Sequence, residues 1–379
     1  MTLLATPEAT RAYAAGFSAK TGPGHFRACR SLTLSSIGIG TYLGEPDPAT
    51  DRNYTEAIVE AVLGGINVLD SAINYRFQRS ERSLGAALVE LASRGVAREA
   101  LLICTKGGYL SPDGEMPTNA REYFAREYFS PGILRPGDVA AGCHAMTPRY
   151  LEDQLSRSLR NLGLAAVDVY YLHNPETQLD EVSPEEFRKR LRAAFEFLEG
   201  AVAGGKIGAY GLATWNGFRQ PADSPALHSL PDVVAAAREV AGDSHHFGFV
   251  QLPLNLMMPE AVVLPNQLVA GRSVPLLAAA AELGVTVIAS APTLRGRLAR
   301  GRPRALAKII GLRSNFERAV QFARSAPGLT TALVGMSRAE HVRANLHLAG
   351  ESPMPGERFW SLFRDAERTA PRPPTRVPT

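Results

Sequence analysis

The sequence predicts a single-domain α/β fold, a (β/α)8 barrel in which eight parallel strands close into a ring surrounded by helices. Three observations favour this fold. Short apolar runs alternate with amphipathic segments, the alternation spans most of the 379-residue chain, and the apolar runs lack the polar/apolar alternation of half-exposed strands. A doubly wound sheet is the alternative, and it is disfavoured because no apolar run is followed by a Gly-x-Gly-x-x-Gly loop.

Seven apolar runs are predicted strands, and an eighth strand is needed to close the barrel. The seven runs are Ile66–Asp70, Leu101–Lys106, Val167–His173, Ile207–Leu212, Phe247–Leu252, Val285–Ser290 and Thr331–Gly335. We place the eighth strand between Asn255 and Arg272, where the pattern is weakest.

Amphipathic segments predict helices between these strands. The predicted helices are Thr55–Leu63, Ser80–Ser93, Pro148–Leu162, Pro184–Ala203, Pro231–Ala241, Val274–Leu283, Ser314–Arg324 and Ala339–Leu348. Boundary signals support them, since Thr147 and Pro148 mark a helix start and Gly163 marks the end of the same helix.

Three parts of the chain fall outside this repeat. Residues 1–35 are predicted to form an N-terminal extension with a hairpin that closes the bottom of the barrel, which itself spans residues 36–350. Residues 107–146 are a long insertion after the second predicted strand, on the face where the strands end. Residues 351–379 are predicted to form a C-terminal helix and a flexible Pro- and Arg-rich tail that begins at Ala370.

The composition excludes several classes of protein. With 41 basic and 37 acidic side chains, the charge is too balanced for a protein that binds nucleic acid or a membrane surface. The three cysteines are widely spaced, which predicts neither a disulfide framework nor a zinc site. The N-terminus lacks a signal-peptide pattern, and the longest apolar stretch contains Glu282. We therefore expect a cytoplasmic protein that does not span a membrane.

The first three predicted strands each end on a polar residue, namely Asp70, Lys106 and His173. Tyr75 follows the first of these strands by five residues, so the topology brings all four side chains to one mouth of the barrel. A lysine cation stabilises a nearby phenolate and lowers the tyrosine pKa, and an aspartate keeps the lysine charged. Together with a histidine that hydrogen-bonds the substrate oxygen, this set can protonate a carbonyl while a hydride arrives from a cofactor.

Motifs along the chain resemble those of the aldo-keto reductase family, whose members are (β/α)8 barrels that use NAD(P)H. The motifs occur in the family's order and include INVLDSAINYRFQRSERSLG, ICTKGG, VDVYYLHNP, FVQLPLNL and VGMSRAEHVRANL. The resemblance implies that the catalytic residues are Asp70, Tyr75, Lys106 and His173.

The resemblance also implies a site for NADP, with NAD as the less favoured cofactor. Gln251 would contact the nicotinamide carboxamide. Ala213 and Thr214 replace the family's usual Ser-Asn pair and Ser290 replaces its stacking Tyr, so Trp215 is the candidate stacking surface. The pyrophosphate and adenosine would be bound in part by a helix N-terminus, which offers free N–H groups to a phosphate. The residues expected to contact them are Arg295, Gly335, Ser337, Arg338, His341 and Asn345.

The predicted substrate-pocket residues are Tyr109, Asn174 and Trp215. The insertion carries five aromatic residues, namely Tyr109, Tyr123, Phe124, Tyr128 and Phe129. We expect it to form either a wall of this pocket or a self-packed loop. No metal site is predicted, because neither Cys143-His144 nor His245-His246 has further ligands at metal-binding spacing.

The leading hypothesis is reduction of an aldehyde or ketone, or the reverse oxidation of an alcohol. Tyr75 would be the general acid or base assisted by Lys106 and Asp70, and His173 would orient the carbonyl. The expected partner is therefore a small carbonyl or alcohol. Two alternatives stay open: a nucleotide-binding sensor or partner subunit without turnover, suggested by the changed nicotinamide anchors, and a Schiff-base lyase with Lys106 as nucleophile.

Overall fold

The computed structural model describes residues 4–300 and 309–369. Its central feature is the predicted closed barrel of eight parallel strands. The strands of the described residues are β1 (Phe26–Cys29), β2 (Leu32–Ser35), β3 (Ile37–Gly40), β4 (Val68–Asp70), β5 (Leu102–Gly107), β6 (Val167–His173), β7 (Ile207–Ala213), β8 (Phe247–Pro253), β9 (Gln267–Val269), β10 (Arg272–Val274), β11 (Thr286–Ser290) and β12 (Leu329–Gly335). The barrel runs from β3 to β8 and continues through β11 and β12, which pairs with β3.

The eighth barrel strand is β3, and not the segment between Asn255 and Arg272. That segment contains β9, which pairs only with β10 in an antiparallel hairpin outside the barrel. The sequence pattern does not identify β3 as a strand because two of its four residues are glycine. A Cβ at Gly38 would lie 2.8 Å from the Leu333 side chain and 3.0 Å from a backbone oxygen of β4, so only glycine fits there. With β3 counted, the insertion follows the third strand of the barrel.

Helices cover the outside of the barrel, and their apolar faces form one continuous core with the outward residues of the strands. The described helices are α1 (Pro7–Gly16), α2 (Pro48–Leu63), α3 (Arg79–Ser93), α4 (Ala120–Phe124), α5 (Pro148–Leu162), α6 (Pro184–Ala203), α7 (Leu230–Ala241), α8 (Glu260–Val263), α9 (Leu276–Glu282), α10 (Asn315–Arg324), α11 (Ala339–Gly350) and α12 (Gly356–Thr369). Both α5 and α6 have the predicted boundaries. None of the described helices is long and apolar enough to cross a membrane.

The antiparallel hairpin of β1 and β2 closes the bottom of the barrel. Cys29 and Leu34 are buried against residues inside the barrel, among them Val68 and Leu102 at the beginning of their strands. The interior therefore opens only at the carboxyl ends of the strands in the described part of the chain. The C-terminal helix α12 packs on α10, with the rings of Phe359 and Phe322 stacked. The predicted tail from Ala370 lies outside the described residues.

Candidate active site

The carboxyl ends of the barrel strands surround a cavity of about 430 Å³. Asp70, Tyr75 and His173 line it, and Lys106 is buried behind them with Nζ 4.9 Å from the centre of the Tyr75 ring. The Tyr75 and His173 rings meet edge to face, with centroids 5.7 Å apart. The structure thus brings the four residues predicted to be catalytic together at one mouth.

Lys106 is held by an ion pair with Asp70. Its Nζ lies 2.5 Å from Asp70 Oδ1 and donates to the Ser71 carbonyl oxygen at 2.8 Å. The other Asp70 oxygen accepts a hydrogen bond of 2.8 Å from Gln251 Nε2. Burial alone would lower the pKa of Lys106, but the charges of Asp70 and Tyr75 outweigh burial and raise it. The ammonium therefore stays charged and points at the Tyr75 ring.

An unusual backbone turn after β4 positions Tyr75. Arg76, Phe77 and Gln78 have φ angles of 49°, 55° and 70°, in the left-handed region that is costly for residues other than glycine. Side chains anchor this turn, since buried Arg76 forms an ion pair with Asp51 and Gln78 donates a hydrogen bond to a carbonyl of the insertion. The surrounding packing therefore maintains a conformation that the local sequence disfavours.

The electrostatic environment differs from the prediction at Tyr75. Burial raises the pKa of Tyr75, and the cation of Lys106 offsets this only in part, because Asp70 acts in the opposite direction. The expected lowering is wrong because it considers the lysine charge without the desolvation. For His173, burial and the nearby Lys106 hold the pKa well below its usual value. The His173 ring therefore favours the neutral form, which can form hydrogen bonds.

The three positions predicted to hold the nicotinamide also line the cavity, namely Gln251, Thr214 and Ser290. The Gln251 amide nitrogen is engaged by Asp70, which leaves its carbonyl oxygen as an acceptor. Thr214 Oγ1 is buried and has no hydrogen-bond partner among the described residues, and the Thr214 backbone N–H donates to the main-chain carbonyl oxygen of Gln251 at 2.8 Å, so the side-chain oxygen of Gln251 stays available. A free acceptor and an unpartnered hydroxyl thus lie on neighbouring strands.

Two aromatic rings and one cation form the rim of the cavity. The Arg295 guanidinium lies 5.0 Å from the ring centre of Tyr42 and 5.6 Å from that of Trp215. These residues come from the loops after β3, β7 and β11, so the contact joins three separate parts of the barrel mouth. After β6, the neighbour of β7, Asn174 Nδ2 donates to the Tyr109 hydroxyl at 3.0 Å. All three predicted pocket residues therefore line the cavity.

The predicted adenosine contacts are not all brought to the cavity. Gly335 lines it, but Ser337 does not cap α11, because the helix begins after Arg338 without a side-chain cap. The side chains of Arg338 and His341 are exposed, at 62% and 54%. Asn345 is buried on the inner face of α11. The cavity therefore includes Arg295 and Gly335 of this predicted group. It does not include the other four, which are Ser337, Arg338, His341 and Asn345.

The insertion contributes one ring to the cavity and packs its other aromatic residues on themselves. Tyr109 lines the cavity, whereas Tyr128 is buried with Leu134 and Tyr150 in a separate small core. That core also contacts Phe124 and Phe129. His144 fixes the insertion to the site, because its Nε2 lies 2.8 Å from the His173 carbonyl oxygen. Both alternatives for the insertion therefore hold, for different residues.

Sequence reasoning misses several residues of this site. Tyr42 and Thr41 line the cavity because they follow β3, the strand that the sequence pattern does not reveal. Asn74 lines it beside Tyr75. The signal for Tyr42 is the motif GTYLG, since a polar and aromatic pair directly after an apolar run marks a strand end in this fold.

Comparison with known proteins points to one family. The sequence model of the aldo/keto reductase family matches residues 36–225, half of the chain. The chain is 28% identical over 185 residues to 6-dehydroglucose reductase of Agrobacterium fabrum, and this alignment covers 48% of this chain and 51% of the relative. It is 29% identical over 149 residues to NADH-specific methylglyoxal reductase of Escherichia coli, covering 38% and 39%. The alignments thus span about half or less of these relatives' length.

Solved structures share the whole fold. The glycerol dehydrogenase of Gluconobacter oxydans superposes with a TM-score of 0.63 at 20% identity, covering 94% of this chain and 99% of its own. An aldo/keto reductase of Klebsiella pneumoniae in complex with NADP and acetate superposes with a TM-score of 0.58 at 18% identity, covering 95% and 99%. At this identity the likeness shows the fold, while the match over residues 36–225 identifies the family. The chain belongs to the aldo/keto reductase family.

Proposed function

We propose that the protein reduces a small aldehyde or ketone with a nicotinamide dinucleotide, or oxidises the corresponding alcohol. The observation that carries this proposal is the buried Lys106–Asp70 ion pair beneath Tyr75, next to a neutral His173, at the edge of a cavity. This arrangement holds a proton donor at a defined place beside a fixed positive charge.

The residues present fit a nicotinamide dinucleotide. Thr214 Oγ1 has no partner in the described residues, and Gln251 has a free carbonyl oxygen, so the two suit a carboxamide group. Trp215 offers a ring face, and the exposed cation of Arg295 suits a pyrophosphate. Ser290 would add a hydroxyl, and the side-chain-free Gly335 would leave room for the dinucleotide. When bound, the reduced cofactor supplies the hydride.

The reaction requires one proton from the protein for each carbonyl reduced. The Tyr75 hydroxyl donates this proton to the carbonyl oxygen as the carbonyl carbon accepts the hydride, and solvent returns a proton to the phenolate. Lys106 stabilises the phenolate formed, and Asp70 keeps Lys106 in place. His173 donates a hydrogen bond to the carbonyl oxygen through Nε2, since its Nδ1 is buried and has no partner among the residues that the structure describes.

Replacing Tyr75 tests the proposal. In Tyr75→Phe the ring remains but the proton donor is lost, so we expect kcat to fall about 10²-fold or more. The affinity for NADPH, measured by fluorescence titration, should stay within about two-fold. Tyr123→Phe is the matched control, because Tyr123 belongs to the insertion but does not line the cavity, and its kcat should equal that of the wild type. Full activity of Tyr75→Phe on a confirmed substrate contradicts the assignment.

We propose NADPH as the favoured cofactor, with the exposed Arg338 beside Ser337 available for a 2′-phosphate and His341 and Asn345 further along α11. Titration with NADPH and NADH in parallel tests this, and tighter binding of NADH would overturn it. The carbonyl panel should begin with methylglyoxal and 6-dehydroglucose, the compounds in the names of the two relatives described above. Each substrate is scored by kcat/KM.

The two alternatives make different predictions. A sensor or partner subunit without turnover is favoured by Ala213 and Ser290, which depart from the family pattern, and it predicts tight NADPH binding with no oxidation by any carbonyl. A Schiff-base lyase is disfavoured, because a nucleophilic lysine must lose its proton and Lys106 is paired with Asp70 and hydrogen-bonded to Ser71. Trapping a carbonyl on Lys106 with borohydride would restore that alternative.

We also propose a division of the chain that follows the function. Residues 36–350 form the reductase unit, with the insertion at 107–146 as a fixed part of its mouth. The N-terminal segment closes the bottom of the barrel through the hairpin of β1 and β2, and the described part of the C-terminal segment, residues 351–369, covers its side. Removal of residues 1–35 should therefore lower the melting temperature, while removal of the segment from Ala370 should leave it unchanged.

A further inference from the structure

A buried carboxylate outside the proposed catalytic group holds the loop that carries Trp215. Glu176 follows His173 by three residues, and its side chain is 13% exposed. Its Oε1 accepts hydrogen bonds from three successive backbone N–H groups, those of Trp215 at 2.7 Å, Asn216 at 2.9 Å and Gly217 at 3.3 Å. The carboxylate therefore ties the end of β6 to the loop after β7.

No other acceptor in the described residues serves these three N–H groups. Without Glu176 they would lose their partners together, and a turn that leaves N–H groups unpaired rearranges to reach water. The place of Trp215 thus depends on one side chain that touches neither the proposed hydride path nor the proton donor. This separates Glu176 from the four residues proposed to act on the carbonyl.

The floor beneath the loop is preformed. His228 is buried, its ring stacks on Phe187 with centroids 5.2 Å apart, and its backbone N–H donates to the Gly217 carbonyl oxygen at 2.7 Å. A Cβ at Gly217 would lie 2.4 Å from the His228 ring, so the loop sits as close to its floor as glycine allows. Within the described part of the chain, Glu176 Oε2 has no hydrogen-bond partner, and it lies 3.9 Å from His228 Nε2.

The consequence of this geometry reaches the rim of the cavity. Trp215 contacts Arg295, and Arg295 contacts Tyr42, so the loop whose backbone Glu176 holds carries the ring that contacts the cation at the mouth. Both Trp215 and Arg295 line the space where the dinucleotide is proposed to bind. A shift of the loop would move both groups at once while leaving Lys106, Asp70 and Tyr75 in place.

We infer that Glu176 is a positioning residue that fixes Trp215 and Arg295 at the cavity mouth and thereby sets the affinity for the dinucleotide. This inference rests on the proposed function. It assigns the effect to the acceptor oxygen of Glu176, so a side chain with the same length and an equivalent oxygen should preserve it.

The experiment compares Glu176→Ala with Glu176→Gln in a Trp360→Phe background. Trp215 and Trp360 are the two tryptophans of the chain, and Trp360 lies on α12 away from the cavity, so fluorescence then reports Trp215 alone. We expect Glu176→Ala to shift the emission to longer wavelength and to increase quenching by acrylamide. Glu176→Gln should match the parent, because its carbonyl oxygen can accept the same three N–H groups.

Kinetics then test the consequence. Glu176→Ala should raise KM and Kd for the dinucleotide about ten-fold, while kcat at saturation changes less than about three-fold. In a Trp215→Ala background the same substitution should have little further effect on Kd, because the two residues act on the same contact. Three outcomes would each overturn the inference. The first is unchanged Trp215 emission in Glu176→Ala, and the second is an equal rise in Kd in Glu176→Ala and Glu176→Gln. The third is a parallel loss of kcat and melting temperature in Glu176→Ala.

The two proposals fail in distinguishable ways. If the wild type neither binds a nicotinamide dinucleotide nor reduces any carbonyl, the proposed function is wrong. The fluorescence comparison needs no ligand, so it still decides whether Glu176 holds Trp215. If the wild type turns over and the Glu176 variants bind the dinucleotide as tightly as it does, only the positioning role is refuted.

Discussion

Lys106 is a buried cation whose charge is balanced by one carboxylate. Its side chain is 1% exposed and that of Asp70 is 4% exposed, so both charges are removed from water. Such a pair adds little net stability, but the removal of one partner leaves an uncompensated buried charge. Asp70 therefore serves two purposes, because it keeps Lys106 charged and it orients Gln251.

Asp70→Asn should destabilise the protein and reduce turnover. The amide retains one oxygen for a hydrogen bond but removes the negative charge, so we expect the free energy of unfolding to fall by about 3–5 kcal/mol. Urea denaturation measures this value. The control is Glu90→Gln, which removes a carboxylate from an exposed pair with Arg94 and should cost no more than about 1 kcal/mol. Equal costs in the two variants would contradict this explanation.

The turn between β4 and α3 shows how an element can be shaped against its own sequence. Three consecutive residues with positive φ are strained unless they are glycine, and here they are Arg76, Phe77 and Gln78. The turn presents Tyr75 to the cavity and then begins α3. Its side chains contact α2 and the insertion, so neighbouring elements, rather than local preference, determine its conformation.

A pair of substitutions at Phe77 isolates this strain. Both Phe77→Ala and Phe77→Gly remove the ring, but only glycine adopts φ 55° freely, so Phe77→Gly should be the more stable variant by about 1 kcal/mol. Val89, which is 73% exposed on α3, is the matched control. At this ordinary helical position, Val89→Gly should be less stable than Val89→Ala by about 1 kcal/mol. The same order at both positions would show that the turn is unstrained.

The sequence predicts elements well where a single periodicity or boundary signal dominates. The boundaries of α5 and α6 follow from Pro at the start and Gly at the end. β3 is missed because close packing against Leu333 requires glycine, which removes the apolar signal of a strand.

The candidate site follows the same logic. Asp70, Lys106 and His173 can be predicted because each ends an apolar strand. The contact of Arg295 with Trp215, and the bonds of Glu176 to the loop after β7, join loops far apart in sequence, so no local pattern records them. The net direction of the pKa shift at Tyr75 also depends on burial, which becomes known only once the fold is built.

At the scale of the whole molecule, a buried histidine joins the N-terminal hairpin to the barrel. His25 Nε2 lies 3.0 Å from the Gly65 carbonyl oxygen, and Nδ1 lies 3.4 Å from Ser36 Oγ. Burial lowers the pKa of His25 to about 4, with a further contribution from the charges of Arg324 and Arg27. The folded protein therefore binds this proton only well below the pH at which the unfolded chain does.

This shift predicts that His25 makes the fold sensitive to acid. Between about pH 6.5 and 4 the unfolded state holds a proton on His25 that the folded state lacks, so its contribution to stability falls as the pH falls, by up to about 1.4 kcal/mol per pH unit. His25→Gln should lose less stability than the wild type between pH 7 and pH 5 in urea denaturation. His341→Gln, at an exposed position, should follow the wild type, and identical pH dependence in all three proteins would refute the prediction.

The pairing of β3 with β12 has a consequence for how the chain folds during synthesis. This pairing sets Ile37 opposite Ala332, and next to it Thr331 Oγ1 donates a hydrogen bond to the Ser35 carbonyl oxygen at the end of β2, 296 residues away in the sequence. Thus β3 leaves the ribosome first among the eight barrel strands, but it gains its second neighbour, β12, last. Until β12 emerges, the growing sheet has two open edges whose backbone groups can pair with other chains. A delay in synthesis while β12 is still inside the ribosome should therefore favour aggregation more than the same delay after Gly335 has emerged.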